Sequence, residues 1–96
     1  MGEKIVAVSG GFDPIHVGHL RMMKEAAKHG KLTVIINSDE WLLRKKGYVF
    51  MPWKERAELI SELSCVDKVI IAKDDDRTVC ESLKELRPDI FANGGD

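Results

Sequence analysis

Strong net charge is absent from this sequence. Its 96 residues include 15 Lys and Arg against 16 Asp and Glu, which leaves a formal net charge of −1 at pH 7. A chain so close to neutral lacks the positive surface that attracts nucleic acids and anionic membranes, so we expect neither kind of partner. Long apolar runs are also missing, and none approaches the roughly 20 residues that a membrane-spanning helix requires.

Cysteine is scarce, because Cys65 and Cys80 are the only two and they are not spaced as a C-x-x-C motif. Reduced thiols are therefore a better interpretation than a disulfide. Glu3 and Lys4 lead directly into an apolar run, which is unlike a signal peptide, and we expect a cytoplasmic protein. With 44% hydrophobic and 32% charged residues, the composition predicts one globular domain over residues 1–96.

Four short apolar runs rich in β-branched residues predict four strands that are covered on both faces. They comprise residues 5–8, 32–36, 69–72 and 90–92. Helical patterns separate the runs, and this alternation predicts an α/β fold, a Rossmann-like doubly wound parallel sheet with strand order 3-2-1-4. In such a sheet the loops after strands 1 and 4 meet at one crevice beyond the carboxyl ends of the strands.

The first two helices are predicted from their stop and start signals. The first ends near His29, where Gly30 stops it. The second begins at Pro52 and ends near Ser64. Its apolar residues have helical spacing, which predicts that Trp53 packs into the core.

A third helix is predicted to begin with a capping box formed by Thr78 and Glu81. The acidic run 74–76 before it favours a solvated loop over a metal site, because consecutive carboxylates point in different directions. Residues 37–51 are predicted to form the longest irregular connection, in which residues 39–43 add a short helical turn.

The stretch 9–19, with the sequence SGGFDPIHVGH, follows the first strand and opens the first helix. This arrangement predicts an anion site, because free backbone N–H groups and the positive end of the helix dipole point at the same place. Gly10 and Gly11 remove side chains where a phosphate would approach the backbone. His16 and His19 are three residues apart, so if the helix has begun by His16 they lie on one face of its first turn.

The two histidines could instead be structural, or could bind a metal together with Asp13. A zinc site would need a third and fourth His or Cys ligand, and the sequence shows no such cluster. The adjoining glycine turn favours phosphate donors. Gly18, between the histidines, is expected to leave this face open for a bulky ligand.

Residues 10–19 resemble the GxFDxxHxGH signature of the nucleotidyltransferase superfamily, most closely its cytidylyltransferase branch. That family usually has Thr where this chain has Gly11. The resemblance implies that His16 and His19 donate to a triphosphate and stabilise charge on its α-phosphate during transfer. It also implies a nucleotide-binding set in this segment, namely Gly10, Gly11, Phe12, Asp13 and Gly18.

Asp13 has two interpretations. It caps the turn that Pro14 continues, as Asp-Pro pairs commonly do, or it lies near the phosphates or Mg²⁺, as the resemblance implies. Aromatic residues further along the chain, Trp41 and Tyr48, are candidates to stack on a base.

Lys45, Lys46 and Arg56 are the basic candidates. The resemblance implies a lysine after strand 2 that reaches the phosphates of both substrates, and we prefer Lys46 as catalytic and Lys45 for the acceptor. Arg56 matches a family arginine, which implies contact with the acceptor phosphate through a planar guanidinium. The alternatives are a solvated lysine pair and an ion pair on a helix surface.

Residues 87–96 resemble the family segment that ends in a Gly-Asp pair near the active site. The resemblance implies ribose or acceptor contacts from Asn93, Gly95 and Asp96, and a plain turn is the alternative. The family continues with a fifth strand and a basic segment that holds the β- and γ-phosphates, so we expect a C-terminally incomplete, shortened fold. The fourth strand would lie at an open edge, which favours self-association as a homodimer.

The resulting functional prediction is a nucleotidyltransferase that uses a nucleoside triphosphate, CTP before ATP, and a phosphorylated small alcohol or sugar. Pyrophosphate leaves, and Mg²⁺ offsets the phosphate charge. The alternative is a non-catalytic nucleotide-binding module or an inactive fragment of such an enzyme. A Rossmann dehydrogenase would use Asp39 for the ribose, but the sequence has no G-x-G-x-x-G, and a P-loop would need G-K-[ST].

Overall fold

The computed structural model of the chain describes residues 4–72 and 88–93. Within these ranges helices separate the first three strands, with two consecutive helices after the second strand. They are β1 (Ile5–Gly10), α1 (Val17–Ala27), β2 (Lys31–Ile36), α2 (Asp39–Lys46), α3 (Trp53–Ser61), β3 (Lys68–Ile71) and β4 (Ile90–Asn93).

The strands form one parallel sheet in the order β3-β2-β1-β4, which confirms the predicted topology. Gly10 at the end of β1 lies opposite Ile36 at the end of β2, and Ser9 lies opposite Asn93 at the end of β4. The carboxyl ends of three neighbouring strands therefore share one edge of the sheet. The turn after β1 lies at the centre of that edge, where ligands bind in open α/β sheets.

Alternate residues of the central strands bury opposite faces of the sheet, as expected for a strand. Met23 of α1 and Ile60 of α3 pack on one face, and each such buried side chain contributes about 1.5–3 kcal/mol. The buried cluster on this face is Val6, Val8, Phe12, Met23, Leu32, Val34, Ile36 and Ile60. The opposite face buries Ala7, Ile35 and Ala72.

The prediction of an irregular segment over residues 37–51 is wrong for α2. Ser38 caps this helix, because its Oγ accepts a hydrogen bond from the backbone N–H of Trp41 at 3.1 Å. Acidic residues occupy the first turn and basic residues the last, which complements the helix dipole. Gly47 ends the helix with a φ of 87°, a left-handed conformation that glycine adopts without strain.

The ends of the other two helices differ from the predictions by a few residues. α1 ends before His29, and Gly30 lies so close to the neighbouring backbone that a Cβ would be 2.3 Å from the carbonyl oxygen of Lys4. Pro52 is the N-cap of α3 and not its first residue, and α3 ends at Ser61, three residues short of Ser64.

The prediction that Trp53 packs into the core is also wrong, because 39% of this residue is exposed. Helical spacing defines a face, but it does not determine how far the sheet extends beneath that face. In the first turn of α3 the buried position is taken by Arg56, which is fully buried.

Several predicted features lie outside the described residues: the capping box of Thr78 and Glu81, the acidic run 74–76, and Cys80. Cys65 is partly buried and is a free thiol. Among the helices of the described ranges, none is both long and apolar enough to cross a membrane.

Candidate functional site

The turn after β1 has one left-handed residue, and it is not a glycine. Phe12 has a φ of 52°, which costs an L-residue about 1–2 kcal/mol. Its ring is fully buried in the core cluster and meets the His19 ring edge-on, with the centroids 5.1 Å apart. Burial of the ring offsets the backbone strain and holds the turn in one conformation. Gly10 and Gly11, on its N-terminal side, are buried at the end of β1.

His16 and His19 form the N-terminal cap of α1. His16 is the N-cap residue, outside the helix, and its Nδ1 accepts a hydrogen bond from the N–H of Gly18 at 3.1 Å. The backbone N–H of His16 donates to Nδ1 of His19 at 3.2 Å, which completes a reciprocal capping box. The helix begins at Val17, so it has not begun by His16 and the condition for the predicted helical face is not met. The rings nevertheless lie together, stacked with centroids 3.8 Å apart.

These cap contacts determine where each imidazole carries its proton. A ring nitrogen that accepts a hydrogen bond has no proton, so the partners of Nδ1 assign the proton of each neutral ring to Nε2. His16 is exposed and His19 is buried, with 7% of the residue accessible.

Gly18 has no Cβ and therefore leaves space for the His16 ring. A Cβ at Gly18 would lie 2.9 Å from Cε1 and 3.0 Å from Nδ1 of His16, closer than real Cβ contacts allow. The glycine therefore leaves room for the capping imidazole, whereas the sequence suggested that it leaves room for a ligand.

Asp13 anchors the loop before α3. Its carboxylate accepts hydrogen bonds from the backbone N–H groups of Phe50 at 2.8 Å and Met51 at 2.5 Å, and from Lys46 Nζ at 3.2 Å. Burial by itself raises the pKa of Asp13, but these N–H donors and the lysine charge outweigh it, so the pKa lies below its ordinary value. Asp13 is 5% exposed, and these contacts give its carboxylate a structural role that differs from the turn cap suggested by the sequence.

Lys46 and Lys45 occupy different environments at the end of α2. Lys46 donates to both the carboxylate and the backbone carbonyl of Asp13, and its side chain is 16% exposed. Its Nζ also lies 5.0 Å from the centroid of the exposed Tyr48 ring. Lys45 is exposed, and its Nζ lies 5.3 Å from the Trp41 ring. Of these two lysines, Lys46 is the one that contacts the turn after β1.

Arg56 is fully buried, which contradicts both sequence interpretations of this residue. Its Nη1 donates to the carbonyl oxygens of Gly11 and Asn37, each at 2.7 Å. Its Nε donates to the carbonyl of Met51 at 2.8 Å, and its Nη2 pairs with the carboxylate of Asp39 at 2.5 Å. A guanidinium so enclosed does not face an acceptor phosphate, and it is not a helix-surface ion pair. Buried charge requires such partners, because desolvation is otherwise costly.

Asp39 is a residue whose role the sequence did not indicate. Its carboxylate is the counter-charge of Arg56, so it is not placed as the ribose-binding acid of a dehydrogenase. The only local signal is the Ser38-Asp39 pair after β2, which is typical of a helix start.

The remaining predicted contacts come from the end of β4. Asn93 lies opposite Ser9 in the register, at the same sheet edge as the turn. Gly95 and Asp96 lie outside the described residues.

A groove of about 330 Å³ adjoins the cap of α1. Its lining is aliphatic apart from one histidine, and comprises Ile15, His16, Val17, Leu20, Leu59 and Leu63. An aliphatic wall offers no donors to phosphate, so this groove is not suited to the predicted anion site.

A protein-held metal would need several His, Cys, Asp or Glu side chains close together in the described part of the chain. No three His, Cys, Asp or Glu side chains there are arranged to hold an ion. The family resemblance implied a position near the phosphates or Mg²⁺ for Asp13, and its carboxylate accepts hydrogen bonds from two N–H groups and a lysine.

Comparison with known proteins identifies similar chains. A family model described as cytidylyltransferase-like matches residues 7–96. The bifunctional protein HldE of Syntrophotalea carbinolica is 39% identical over 98 residues, which cover 99% of this chain and 20% of that protein. The FAD synthase of Archaeoglobus profundus is 37% identical over 91 residues, which cover 95% of this chain and 57% of that protein. This chain thus spans about a fifth of the HldE relative's length.

The fold of this chain is similar to that of a solved structure. The crystal structure of the lipopolysaccharide core biosynthesis protein from Thermoplasma volcanium superposes with a TM-score of 0.81 at 34% identity. The match covers 94% of this chain and 73% of that one.

Proposed function

Because this chain belongs to the cytidylyltransferase-like family, as the match over residues 7–96 shows, we propose that it takes part in nucleotidyl transfer. The transferred group is CMP or AMP, and the acceptor is a phosphorylated small alcohol or sugar. The observation that carries the proposal is the pair of stacked imidazoles at the start of α1, whose Nδ1 contacts leave the protons on Nε2.

The proposed reaction is an in-line displacement at the α-phosphorus. An oxygen of the acceptor phosphate forms a new P–O bond, the bond to the bridging oxygen breaks, and pyrophosphate leaves with the electron pair. Negative charge on the α-phosphate oxygens shifts during this step. Neutral Nε2–H donors from His16 and His19 and the N-terminus of α1 would stabilise that charge without a covalent intermediate.

The turn after β1 would hold the nucleotide phosphates through its backbone. Gly10, Gly11 and Phe12 lie at the carboxyl edge of the central strand, next to the N-terminus of α1. Such an edge is where anions and nucleotides bind in open α/β sheets. Asn93 at the end of β4 lies at the same edge and would contact the ribose or the acceptor.

Mg²⁺ is proposed only as the companion of the triphosphate. The described residues do not form a metal site, so they offer no protein-held position for the ion. When bound to the nucleotide, Mg²⁺ would neutralise part of the phosphate charge.

CTP and ATP are both candidate donors. The family description favours CTP. A relative named for the synthesis of FAD, an adenine dinucleotide, favours ATP. The proposed whole-protein features, which include a cytoplasmic location and a homodimer, follow from composition and from the edge position of β4 in the described sheet.

The test begins with binding. Calorimetric titration of the chain with each of the four nucleoside triphosphates and Mg²⁺ should give one preferred nucleotide, with NAD as the control ligand. Pyrophosphate release is then followed with phosphorylated alcohols and sugars. Preference for NAD over every triphosphate would contradict the proposal, and triphosphate binding without turnover under any acceptor would reduce it to a nucleotide-binding module.

A further inference from the structure

The buried guanidinium of Arg56 joins the segments that surround the proposed nucleotide site. A single nitrogen, Nη1, bridges the carbonyls of Gly11 after β1 and Asn37 after β2. The same side chain holds the loop before α3 through Met51 and the start of α2 through Asp39. Replacement of buried ion pairs by apolar side chains is often neutral or stabilising in proteins. A buried charge with four such partners therefore invites an explanation beyond stability.

The contact with Gly11 has a stereochemical consequence for the next residue. The Gly11–Phe12 peptide bond is trans, since the cis bond of the described residues is Asp13–Pro14. In a planar trans peptide the C=O and N–H point in opposite directions. Because the Gly11 carbonyl points at the buried guanidinium, the Phe12 N–H points away from it. Within the described residues, that N–H donates to no acceptor.

Both the backbone N–H and the backbone carbonyl of Met51 form hydrogen bonds with side chains. Its N–H donates to Asp13 Oδ1, and its carbonyl accepts from Arg56 Nε. Asp13 and Gly11 belong to the turn after β1, so two links connect this turn to the loop before α3. One link is the hydrogen bond from the Met51 N–H to Asp13, and the other runs through Arg56, which donates to the carbonyls of both Gly11 and Met51.

We propose that Arg56 is a positioning residue for nucleotide binding, which orients the Gly11–Phe12 peptide so that the Phe12 N–H donates to a phosphate. It acts through the peptide and not by touching substrate. The inference rests on the proposed function, because it names the residue that prepares the same anion site.

The main experiment compares Arg56→Lys with the matched change Arg21→Lys. Arg21 is exposed on α1, so its replacement controls for the chemical change alone. Lysine keeps the charge at position 56 but cannot span the carbonyls that the guanidinium fork reaches. Affinity for the preferred nucleoside triphosphate is measured by calorimetry at a temperature where thermal unfolding shows each variant fully folded.

We expect Arg56→Lys to weaken nucleotide affinity about tenfold and Arg21→Lys to leave it unchanged. A folded Arg56→Lys chain with wild-type affinity overturns the inference while leaving the proposed function intact. A wild-type chain that binds no nucleoside triphosphate overturns both.

Two further measurements do not depend on the lysine variant. In the wild-type chain, the ¹⁵N–¹H resonance of Phe12 should shift downfield on nucleotide addition, and an unchanged resonance overturns the inference. In Arg56→Ala, millimolar methylguanidinium should restore nucleotide affinity together with thermal stability. Restored stability without restored affinity assigns Arg56 a purely structural role and also overturns the inference.

Discussion

The backbone N–H of His16 donates to Nδ1 of His19 at 3.2 Å, and the two imidazoles stack with their centroids 3.8 Å apart. The residues that cap α1 are thus the same residues that carry the proposed phosphate donors. Each ring uses Nδ1 for the cap, which assigns the proton of the neutral ring to Nε2. Substitutions that keep an acceptor at the Nδ1 position but remove the ring can separate the two roles.

His16→Asn should keep the cap and lose the donor. Asparagine is among the best N-cap residues, whereas His16→Ala should cost about 1 kcal/mol of unfolding free energy. Both variants should reduce pyrophosphate release, by roughly 10²-fold if the imidazole stabilises the transition state. Thermal unfolding and turnover measured on the same samples check this prediction. Wild-type turnover in His16→Asn would remove the His16 ring from the reaction.

His19→Gln is the corresponding change at the third helical position, where glutamine supports a capping box. We expect turnover to fall by roughly 10² or more, with a smaller change in nucleotide affinity, because the proposed contact is stronger in the transition state. Steady-state kinetics and calorimetry separate the two effects. Equal losses in affinity and in kcat/KM, with kcat retained, would indicate a binding role alone.

Gly18→Ala should displace the His16 ring. The new Cβ would lie 2.9 Å from Cε1 of His16, so the imidazole must turn away and give up its hydrogen bond from the N–H of residue 18. We expect a loss of about 0.5–2 kcal/mol in unfolding free energy, the usual cost of a lost N-cap, together with weaker nucleotide binding. Urea unfolding and calorimetry measure the two. The double change with His16→Asn is the control, since a shorter side chain avoids the clash.

Lys46→Met and Lys45→Met form a matched pair of neighbouring changes. Lys46 contacts the buried Asp13, and its removal leaves that carboxylate with fewer partners, at a cost of about 1–3 kcal/mol. Lys45 is exposed, so we expect its replacement to change stability little. Nucleotide affinity should also fall more in Lys46→Met. A larger loss of affinity in Lys45→Met would transfer the proposed phosphate role to Lys45.

Acid should destabilise the chain partly through Asp13. Its pKa is lowered in the folded state, so the ionised form stabilises folding at pH values above the unfolded pKa of about 3.9. That stabilisation is lost as the pH falls through the lower folded pKa. Urea unfolding between about pH 6 and pH 2.5 should therefore show a smaller acid loss in Asp13→Asn than in the wild type. Parallel stability curves for the two chains would contradict the prediction.

The sequence predicted the elements whose causes are local. Short β-branched runs separated by helical patterns predicted four strands, and the order 3-2-1-4 is confirmed. The signature at residues 10–19 led to the cytidylyltransferase-like family, which the match over 7–96 confirms. The roles assigned to individual site residues stay predictions, and the kinetic and binding measurements above decide them.

The predictions from the sequence were wrong for residues whose environment depends on distant segments of the chain. Trp53 and Arg56 lie three residues apart on α3, and hydrophobicity predicted the wrong one to be buried. The tryptophan is 39% exposed, whereas the arginine is fully buried. The arginine reaches backbone acceptors that are 45 and 19 residues away in the chain, at Gly11 and Asn37.

By itself the sequence determined what short-range chemistry encodes, namely the strand periodicity and the residue types of the turn after β1. The tertiary structure decided which polar groups share a buried space. Only there do the Gly11 carbonyl and the Met51 carbonyl meet one guanidinium. The physical reason is that a buried charge is tolerated only where its hydrogen-bond partners converge, and convergence belongs to the folded chain and not to any local pattern.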